Sequence, residues 1–342
     1  MINRLVWMET DNTYPYRNLA MEEYMTLHVP QGTCILYLWQ NRHTVVIGKN
    51  QNCWRECRVN FLEQENGYLV RRLSGGGAVF HDMGNLNFTF IVGAGDYDVS
   101  RQLDVILEAV RSLGIHAEKT GRNDITVDGR KFSGNAFYRT GDGCYHHGTI
   151  LIRADKENMS RYLNVSKEKL ASKGVTSVKS RVANLCEFKP DITLEEVKSA
   201  LVEAFSKVYG QPAVRMEEGE LPQPDIDART EKFASWQWKY GRKIPFEYEM
   251  EKRFPWGNIQ IQFHVDEGMI QDVNVFSDAM DQEMIGMLAE QLKGCAYAEE
   301  DICRAVKAMG TDAFQAGEYT GADEPQSCWI KEDIMTLVRE SL

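Results

Sequence analysis

The stretch NDITVDGRKFSGN (123–135) constrains the fold more than any other in the chain. Asp-Gly between two alternating runs is a two-residue hairpin signal, because the turn needs positive φ at its central positions. With the turn at Asp128-Gly129, Val127 lies opposite Arg130, Thr126 opposite Lys131, Ile125 opposite Phe132 and Asp124 opposite Ser133. Side chains alternate across a strand. Ile125, Val127 and Phe132 therefore share a core face, while Asp124, Thr126, Lys131 and Ser133 share the other. A lysine fixed beside a carboxylate and hydroxyls can hold an anion; the competing reading is the solvated face of a surface hairpin. Gly134 favours the anion site, since glycine inside a strand often marks close approach of a ligand.

The rest of the chain is rich in similar strand signals. CILYLWQN (34–41) and TVVIGKNQN (44–52) read as buried strands around a short turn. LVRR (69–72) and LNFTFIV (86–92) are expected to form another strand pair, Phe88 and Phe90 alternating with Asn87, Thr89 and Ile91. A further hairpin turns at Gly141-Asp142-Gly143. RNLAMEEYMTLHV (17–29) reads as an amphipathic helix with Leu19, Tyr24 and Leu27 at apolar positions. SRQLDVILEAVRSLGI (100–115) places Leu103, Ile106, Leu107, Val110 and Leu113 at core spacing. A third helix opens on a Thr193…Glu196 capping box and ends at Gly210. Strands and helices do not alternate regularly, which argues for an α+β fold on a mixed sheet rather than a doubly wound parallel one.

Length and charge suggest two domains. Residues 1–209 hold 26 Lys+Arg and 24 Asp+Glu, a balance of +2; residues 210–342 hold 13 and 26, or −13, which sums to the net −11. An acidic chain without a basic stripe is a poor nucleic-acid binder. No apolar run approaches the ~18–20 residues of a membrane span, and the N-terminus lacks the apolar region of a signal peptide. Eight cysteines scattered over a chain of this length fit reduced thiols and a cytoplasmic location. Five of the nine prolines (Pro212, Pro222, Pro224, Pro245, Pro255) fall in 211–255, which reads as irregular and linker-like. We expect a catalytic domain over 1–245, a linker over 246–255 and an accessory domain over 256–342. The last begins with a hairpin in NIQIQFHVDEGMIQDVNVFSD, followed by three helices over 281–293, 298–309 and 328–340.

A second anion candidate is RRLSGGGAVFHD (71–82). Three consecutive glycines expose backbone N–H groups, and flanking arginines add charge-assisted donors. The run is neither a Walker A loop nor a dinucleotide fingerprint, and a plain flexible loop would also explain it. Cys53 and Cys57 lack the second Cys/His pair of a zinc site, so buried thiols are expected. Cys144, beside His146 and His147, is either a turn cysteine or an imidazole-activated nucleophile.

Together these stretches resemble the lipoate–protein ligase A family, two-domain bacterial type. The resemblance runs through NLAMEE (18–23), LWQNRHTVVIGKNQN (38–52), RRLSGGGAVFHDMGNLNFTF (71–90), GRNDITVDGRKFSGNAFY (121–138) and HHGTILI (146–152). It continues through KGVTSVKSRVANL (173–185), ASWQWKYG (234–241) and RFPWGNIQIQFHVDEGMI, covering nearly the whole chain. Small departures are His43 and one extra residue between Ala136 and Arg139.

The resemblance implies a fold shared with biotin ligases and a reaction in two steps. ATP and lipoate, or octanoate, give lipoyl-AMP, whose acyl group passes to a lysine of a lipoyl domain or of the glycine-cleavage H protein. It implies Mg²⁺ and a protein acting as a monomer. Carried onto this sequence, it makes Lys131 and Arg72 the catalytic cations. Ser74, Gly75, Gly76, Gly77, Ala78 and Val79 would lie along the acyl-adenylate, with the Val79 backbone near the adenine. Asn85, Asn123, Ser133 and Gly134 would contact the intermediate, Trp39 would flank the acyl tail, and His81 and His147 would line the site. Asp124 would place Mg²⁺ or orient Lys131. Two rivals remain: an ATP-independent octanoyl or lipoyl transferase using a cysteine thioester, with Cys144 the suggestive residue, and a noncatalytic lipoate-binding protein.

Overall fold

The computed structural model describes residues 1–120, 124–164, 182–310 and 326–342, without the side chains of 326–328. The chain divides into two compact units. The first comprises Met1–Ile47, Cys53–Arg72 and Ala78–Lys239; the second comprises Gly48–Asn52, Leu73–Gly77 and Tyr240–Leu342.

The first unit is built on an eight-stranded mixed sheet. Its strands are, in spatial order, Ala213–Arg215 (β11), Arg4–Glu9 (β1), Thr33–Trp39 (β2), Asn85–Gly93 (β6), Gly143–Leu151 (β10), Arg130–Arg139 (β9), Asp124–Val127 (β8) and Glu118–Thr120 (β7). β1 runs parallel to both its neighbours, and every later pair is antiparallel. A smaller sheet orders Tyr68–Arg71 (β4), Thr44–Ile47 (β3) and Val79–His81 (β5). The strand pair expected between 69–72 and 86–92 does not form: β4 pairs in parallel with β3, and β6 lies between β2 and β10. β2 and β3 likewise part into different sheets across a turn that holds His43 at φ 40°.

Both faces of the large sheet are buried, but they differ in chemistry. On one face Leu36 and Leu38, Phe88 and Phe90, Cys144 and Ile150, and Ile125, Val127 and Phe132 enter a single apolar core. Helices Val99–Ser112 and Leu194–Tyr209 supply the other side of that core through Val105, Ile106, Val197 and Leu201. The second helix carries the expected capping box at Thr193 and Glu196 and ends at Gly210 with φ 73°. A left-handed residue at that position satisfies the last carbonyls of the helix.

Helix Pro15–His28 packs against β6 and β10. It was expected to bury Leu19, Tyr24 and Leu27, yet Leu27 is 44% exposed and the buried positions include Asn18, Glu22 and Thr26. These polar residues recur at helical spacing, so the buried stripe is itself polar.

The proline-rich 211–239 stretch is not a linker. It forms β11 and helix Gln223–Ala234, which carries Pro224 within its first turn and packs on helix Pro15–His28. Proline suits a first turn, where its missing N–H would have no helical partner. The 246–255 stretch, expected as a linker, contains strand Tyr248–Phe254 (β12). β12 pairs with Gly257–Asp266 (β13), which pairs with Met269–Ser277 (β14). Among the described residues, helices Gln282–Leu292, Glu299–Ala308 and Gln326–Ser341 follow in the second unit, as the hairpin-plus-three-helix reading anticipates. Among the described residues, no helix is long and apolar enough to cross a membrane.

Candidate active site

The hairpin over β8 and β9 turns at Asp128-Gly129, with Val127 opposite Arg130 and Thr126 opposite Lys131 as the sequence suggests. Beyond them the register slips by one residue, placing Ile125 opposite Ser133 and Asp124 opposite Gly134. A bulge of this kind inserts one unpaired residue and redirects neighbouring side chains. The core face is preserved, since Ile125, Val127 and Phe132 all remain buried. Ser133, however, expected on the Lys131 face, now lies opposite Ile125 and is turned to the core side. The slip puts a residue without a side chain directly across from Asp124.

Lys131 uses that space. Its Nζ lies 2.6 Å from Asp124 Oδ1, with side chains 21% and 17% exposed. A Cβ added to Gly134 would sit 2.5 Å from Lys131 Nζ and 2.6 Å from its Cε. Gly134 is therefore the floor on which the ammonium rests. Thr149 Oγ1 accepts from the Gly134 N–H at 3.3 Å, pinning that floor to β10. Ser133 is fully buried, and its hydroxyl has no hydrogen-bond partner among the described residues.

Arg72, immediately after β4, is 5% exposed and donates from Nη1 to the Val46 carbonyl at 3.4 Å. Burial draws its guanidinium down to about 10, while the nearby Tyr145 and Glu22 oppose that fall. It remains a cation at neutral pH. Lys131 and Arg72 thus give the first unit two cations with restricted access to solvent.

Two directed chains of hydrogen bonds cross the polar face. In one, Trp39 Nε1 donates to Thr89 Oγ1 at 3.1 Å and Thr89 donates to Glu22 Oε1 at 2.7 Å. His147 Nδ1 meets the same carboxylate oxygen at 2.9 Å, so Nδ1 carries the hydrogen. In the other, Tyr37 donates to Asn18 Oδ1 at 3.4 Å, Asn18 Nδ2 to Asn41 Oδ1 at 3.0 Å, and Asn41 Nδ2 to His81 Nδ1 at 3.2 Å. This order leaves His81 neutral with its hydrogen on Nε2, a buried donor without a partner among the described residues. Desolvation, with Arg72 and His147 adding to it, lowers its pKa to about 3. His81 is a hydrogen-bond donor rather than an acid or base near neutrality.

The structure brings Trp39, Arg72, Ala78, Val79, His81, Asn85, Asp124, Lys131, Ser133, Gly134 and His147 into the first unit. Ser74, Gly75, Gly76 and Gly77 belong to the second, where the Gly76 N–H donates to the Ala279 carbonyl at 3.0 Å. A Cβ at Gly75 would collide with that same carbonyl oxygen, so this glycine permits a close backbone approach. Asn123 lies outside the described residues. Glu22, Asn87, Thr89 and Thr149 were missed, although the period-two pattern of β6 already set Asn87 and Thr89 on the non-core face.

Cys144 belongs to the apolar core, and burial pushes its thiol up to about 11. His146, beside it, is also fully buried and shares its Nε2 with Asn135 Oδ1 at 2.8 Å. Burial holds its pKa well below the usual histidine range. Neither residue offers an accessible nucleophile–base pair. Cys53 and Cys57 are buried thiols, 1% and 2% exposed. Among the described residues no three His, Cys, Asp or Glu side chains gather as a metal cluster. A hard cation fits here only as Mg²⁺ commonly binds, on a carboxylate such as Asp124 plus oxygens brought by a substrate.

Comparison with known proteins decides the family. The model for the lipoyl protein ligase A/B catalytic domain matches residues 14–206, more than half of the chain. The chain belongs to that family. The model for the bacterial lipoate protein ligase C-terminus matches residues 243–321. Among solved structures, Plasmodium falciparum LipL1 in complex with lipoate is 28% identical at a TM-score of 0.81, over 97% of this chain and 99% of that one. A bi-partite lipoate protein ligase from Thermoplasma acidophilum, described with its E2 lipoyl domain, is 26% identical over 71% of this chain and 99% of that one, at a TM-score of 0.61. A lipoate-protein ligase A bound with ATP shares the fold at 24% identity and a TM-score of 0.60, over 70% of this chain and 99% of that one. This member of the lipoate ligase family thus joins an α+β catalytic fold to a C-terminal sheet-and-helix domain.

The buried state of His81 has a pH signature. The unfolded chain takes this proton at 6.5 and the folded chain only near 3, so the folded state loses stability as pH falls through that window. The His81 ring resonances should stay constant from about pH 8 to 5 in an NMR titration, the range in which an ordinary histidine ionises. A midpoint near 6.5 would contradict the buried, neutral assignment.

Proposed function

We propose that the protein is an ATP-dependent lipoate–protein ligase. In the first step a carboxylate oxygen of lipoate, or of octanoate, attacks the α-phosphorus of ATP. A P–O bond forms, the bond to the β-phosphoryl group breaks, and pyrophosphate leaves with the electron pair. In the second step a lysine amine attacks the acyl carbon, AMP leaves, and the amine gives up its proton. Acceptors would be the lipoyl domains of 2-oxoacid dehydrogenase E2 subunits and the glycine-cleavage H protein.

The observation that carries this reading is Lys131, held by Asp124 over the bare backbone of Gly134. Bringing a carboxylate to a phosphate sets negative charges against each other, so catalysis rests on positioning and charge neutralisation. Lys131 and Arg72 are the cations for that task. Partial or full burial raises their worth to a transition-state oxygen. Asp124 orients Lys131 and, with phosphate oxygens of ATP, would hold Mg²⁺, which when bound neutralises further phosphate charge. Asn85 would hydrogen-bond the intermediate, Gly134 would border it, and Trp39 and His147 would flank the acyl tail. Val79 would meet the adenine through its backbone.

The lipoate in LipL1, the ATP in the ligase A structure and the E2 lipoyl domain named with the archaeal ligase support the same reading for this chain. A thioester mechanism has less support. Cys144, the cysteine singled out for it, lies in the apolar core with a thiol raised to about 11.

Purified protein with Mg²⁺, ATP, lipoate and an apo lipoyl domain should release pyrophosphate and add one lipoyl group to the acceptor, and only when ATP is present. Lys131→Ala should fold normally and lose pyrophosphate release by roughly 10²–10³-fold, the usual worth of one electrostatic donor at a transition state. Pyrophosphate release at the wild-type rate would sink the role given to Lys131. Gly134→Ala should act in the same direction by displacing the ammonium, while circular dichroism and melting stay close to wild type. Full activity there would show that Lys131 needs no such floor. Cys144→Ala should keep its activity; abolition in a folded variant would revive the thioester route.

A further inference from the structure

We propose that Asn87 is a further substrate-binding residue, whose side-chain amide donates a hydrogen bond to the acyl oxygen of the bound carboxylic acid and of its adenylate. The inference rests on the ligase reading above. Asn87 sits on β6 with 1% exposure, and its Oδ1 accepts from Asn85 Nδ2 at 2.9 Å. Its own Nδ2 has no hydrogen-bond partner among the described residues, and neither has Asn85 Oδ1. Two amides joined by one such bond present one NH₂ group and one carbonyl to whatever lies above them. Burying an amide NH₂ without an acceptor is unfavourable, so the arrangement calls for a ligand oxygen.

Its place in the sheet says which oxygen. Asn87 pairs with Thr149 on one side and with Trp39 on the other. Thr149 Oγ1 is bonded to the Gly134 N–H, and Lys131 Nζ rests over Gly134. The row across the strands therefore reads ammonium, hydroxyl, amide, indole. Strands are about 4.8 Å apart, which puts Asn87 roughly 10 Å from Gly134 along the backbone. One carboxyl or acyl-phosphate group, with oxygens about 3 Å from a donor on each side, spans the space between the two side chains. The charged end of the ligand belongs with Lys131, its apolar tail passes Trp39, and Asn87 lies where the two join.

An uncharged amide serves the free carboxylate and the acyl-adenylate alike. Its loss should therefore raise KM and leave kcat nearly unchanged, unlike loss of Lys131. Asn87→Ala should weaken lipoate binding about tenfold by calorimetry and raise KM for lipoate in proportion, the worth of one hydrogen bond to a charged group. Asn87→Asp keeps the shape and still accepts from Asn85, but it replaces the donor with an acceptor and should bind lipoate more weakly than the alanine variant. If the alanine variant does not fold, the near-isosteric Asn87→Asp carries the test. A wild type that binds lipoate alongside folded variants that bind it equally well would overturn the assignment of Asn87 alone. A wild type that neither binds lipoate nor releases pyrophosphate would overturn the ligase reading, and this proposal with it.

Discussion

The ion pair between Lys131 Nζ and Asp124 Oδ1, 2.6 Å apart, sets the terms for the rest of this sheet face. An unbroken register would place Asp124 opposite Ser133, with Gly134 past the end of β8. The one-residue slip brings Gly134 opposite Asp124 and clears the volume that the ammonium occupies. Any side chain at 134 would begin 2.5 Å from Nζ. Both partners keep some contact with water, so the pair contributes little to stability. Its consequence is orientation: a long, flexible lysine is confined to one place above the strands.

That confinement is affordable because stability is supplied elsewhere. The opposite face of the same sheet packs Leu36, Phe88, Phe90, Ile125 and Phe132 into one apolar core with two helices. Helix Pro15–His28 and the segments of the small sheet carry groups that are costly to bury, among them Glu22, Arg72 and His81. A buried charge left alone is strongly destabilising, and hydrogen bonds offset this only where each lone pair or proton has a partner. For Glu22 the cost is offset at Oε1, which accepts from both Thr89 and His147. The orphaned amide hydrogens of Asn87 and the adjoining orphaned Asn85 carbonyl are then informative, because Thr89 and Thr149 beside them have partners.

The sequence could be read as far as local chemistry reaches. Asp128-Gly129 specified the hairpin and its first two pairs, and the alternation through 86–92 separated Phe88 and Phe90 from Asn87 and Thr89. The bulge was not visible, because Phe132 is equally apolar in either register. The partner of a strand was not visible either: nothing local tells β3 to pair with β4 rather than β2. Pro224 counts toward the linker-like reading of 211–255, although it opens a helix whose packing partner lies some two hundred residues earlier. The family resemblance named most of the residues proposed for the site, but not Glu22 or Thr89, whose contacts emerge only when three strands and a helix converge.

Helix Pro15–His28 shows why the segment NLAMEE has the spacing it has. Asn18 and Glu22 are four residues apart and so lie on one helical face. Asn18 donates to Asn41, whose amide in turn makes Nδ1 of His81 an acceptor. Glu22 accepts from His147 and makes its Nδ1 a donor. One face of one helix thereby assigns opposite tautomers to two histidines on different sheets. Replacing either anchor by an apolar residue would leave a helix of similar propensity, yet the ring it governs would lose its orientation. A stripe that looks like a defect in an amphipathic helix is therefore what organises the polar face.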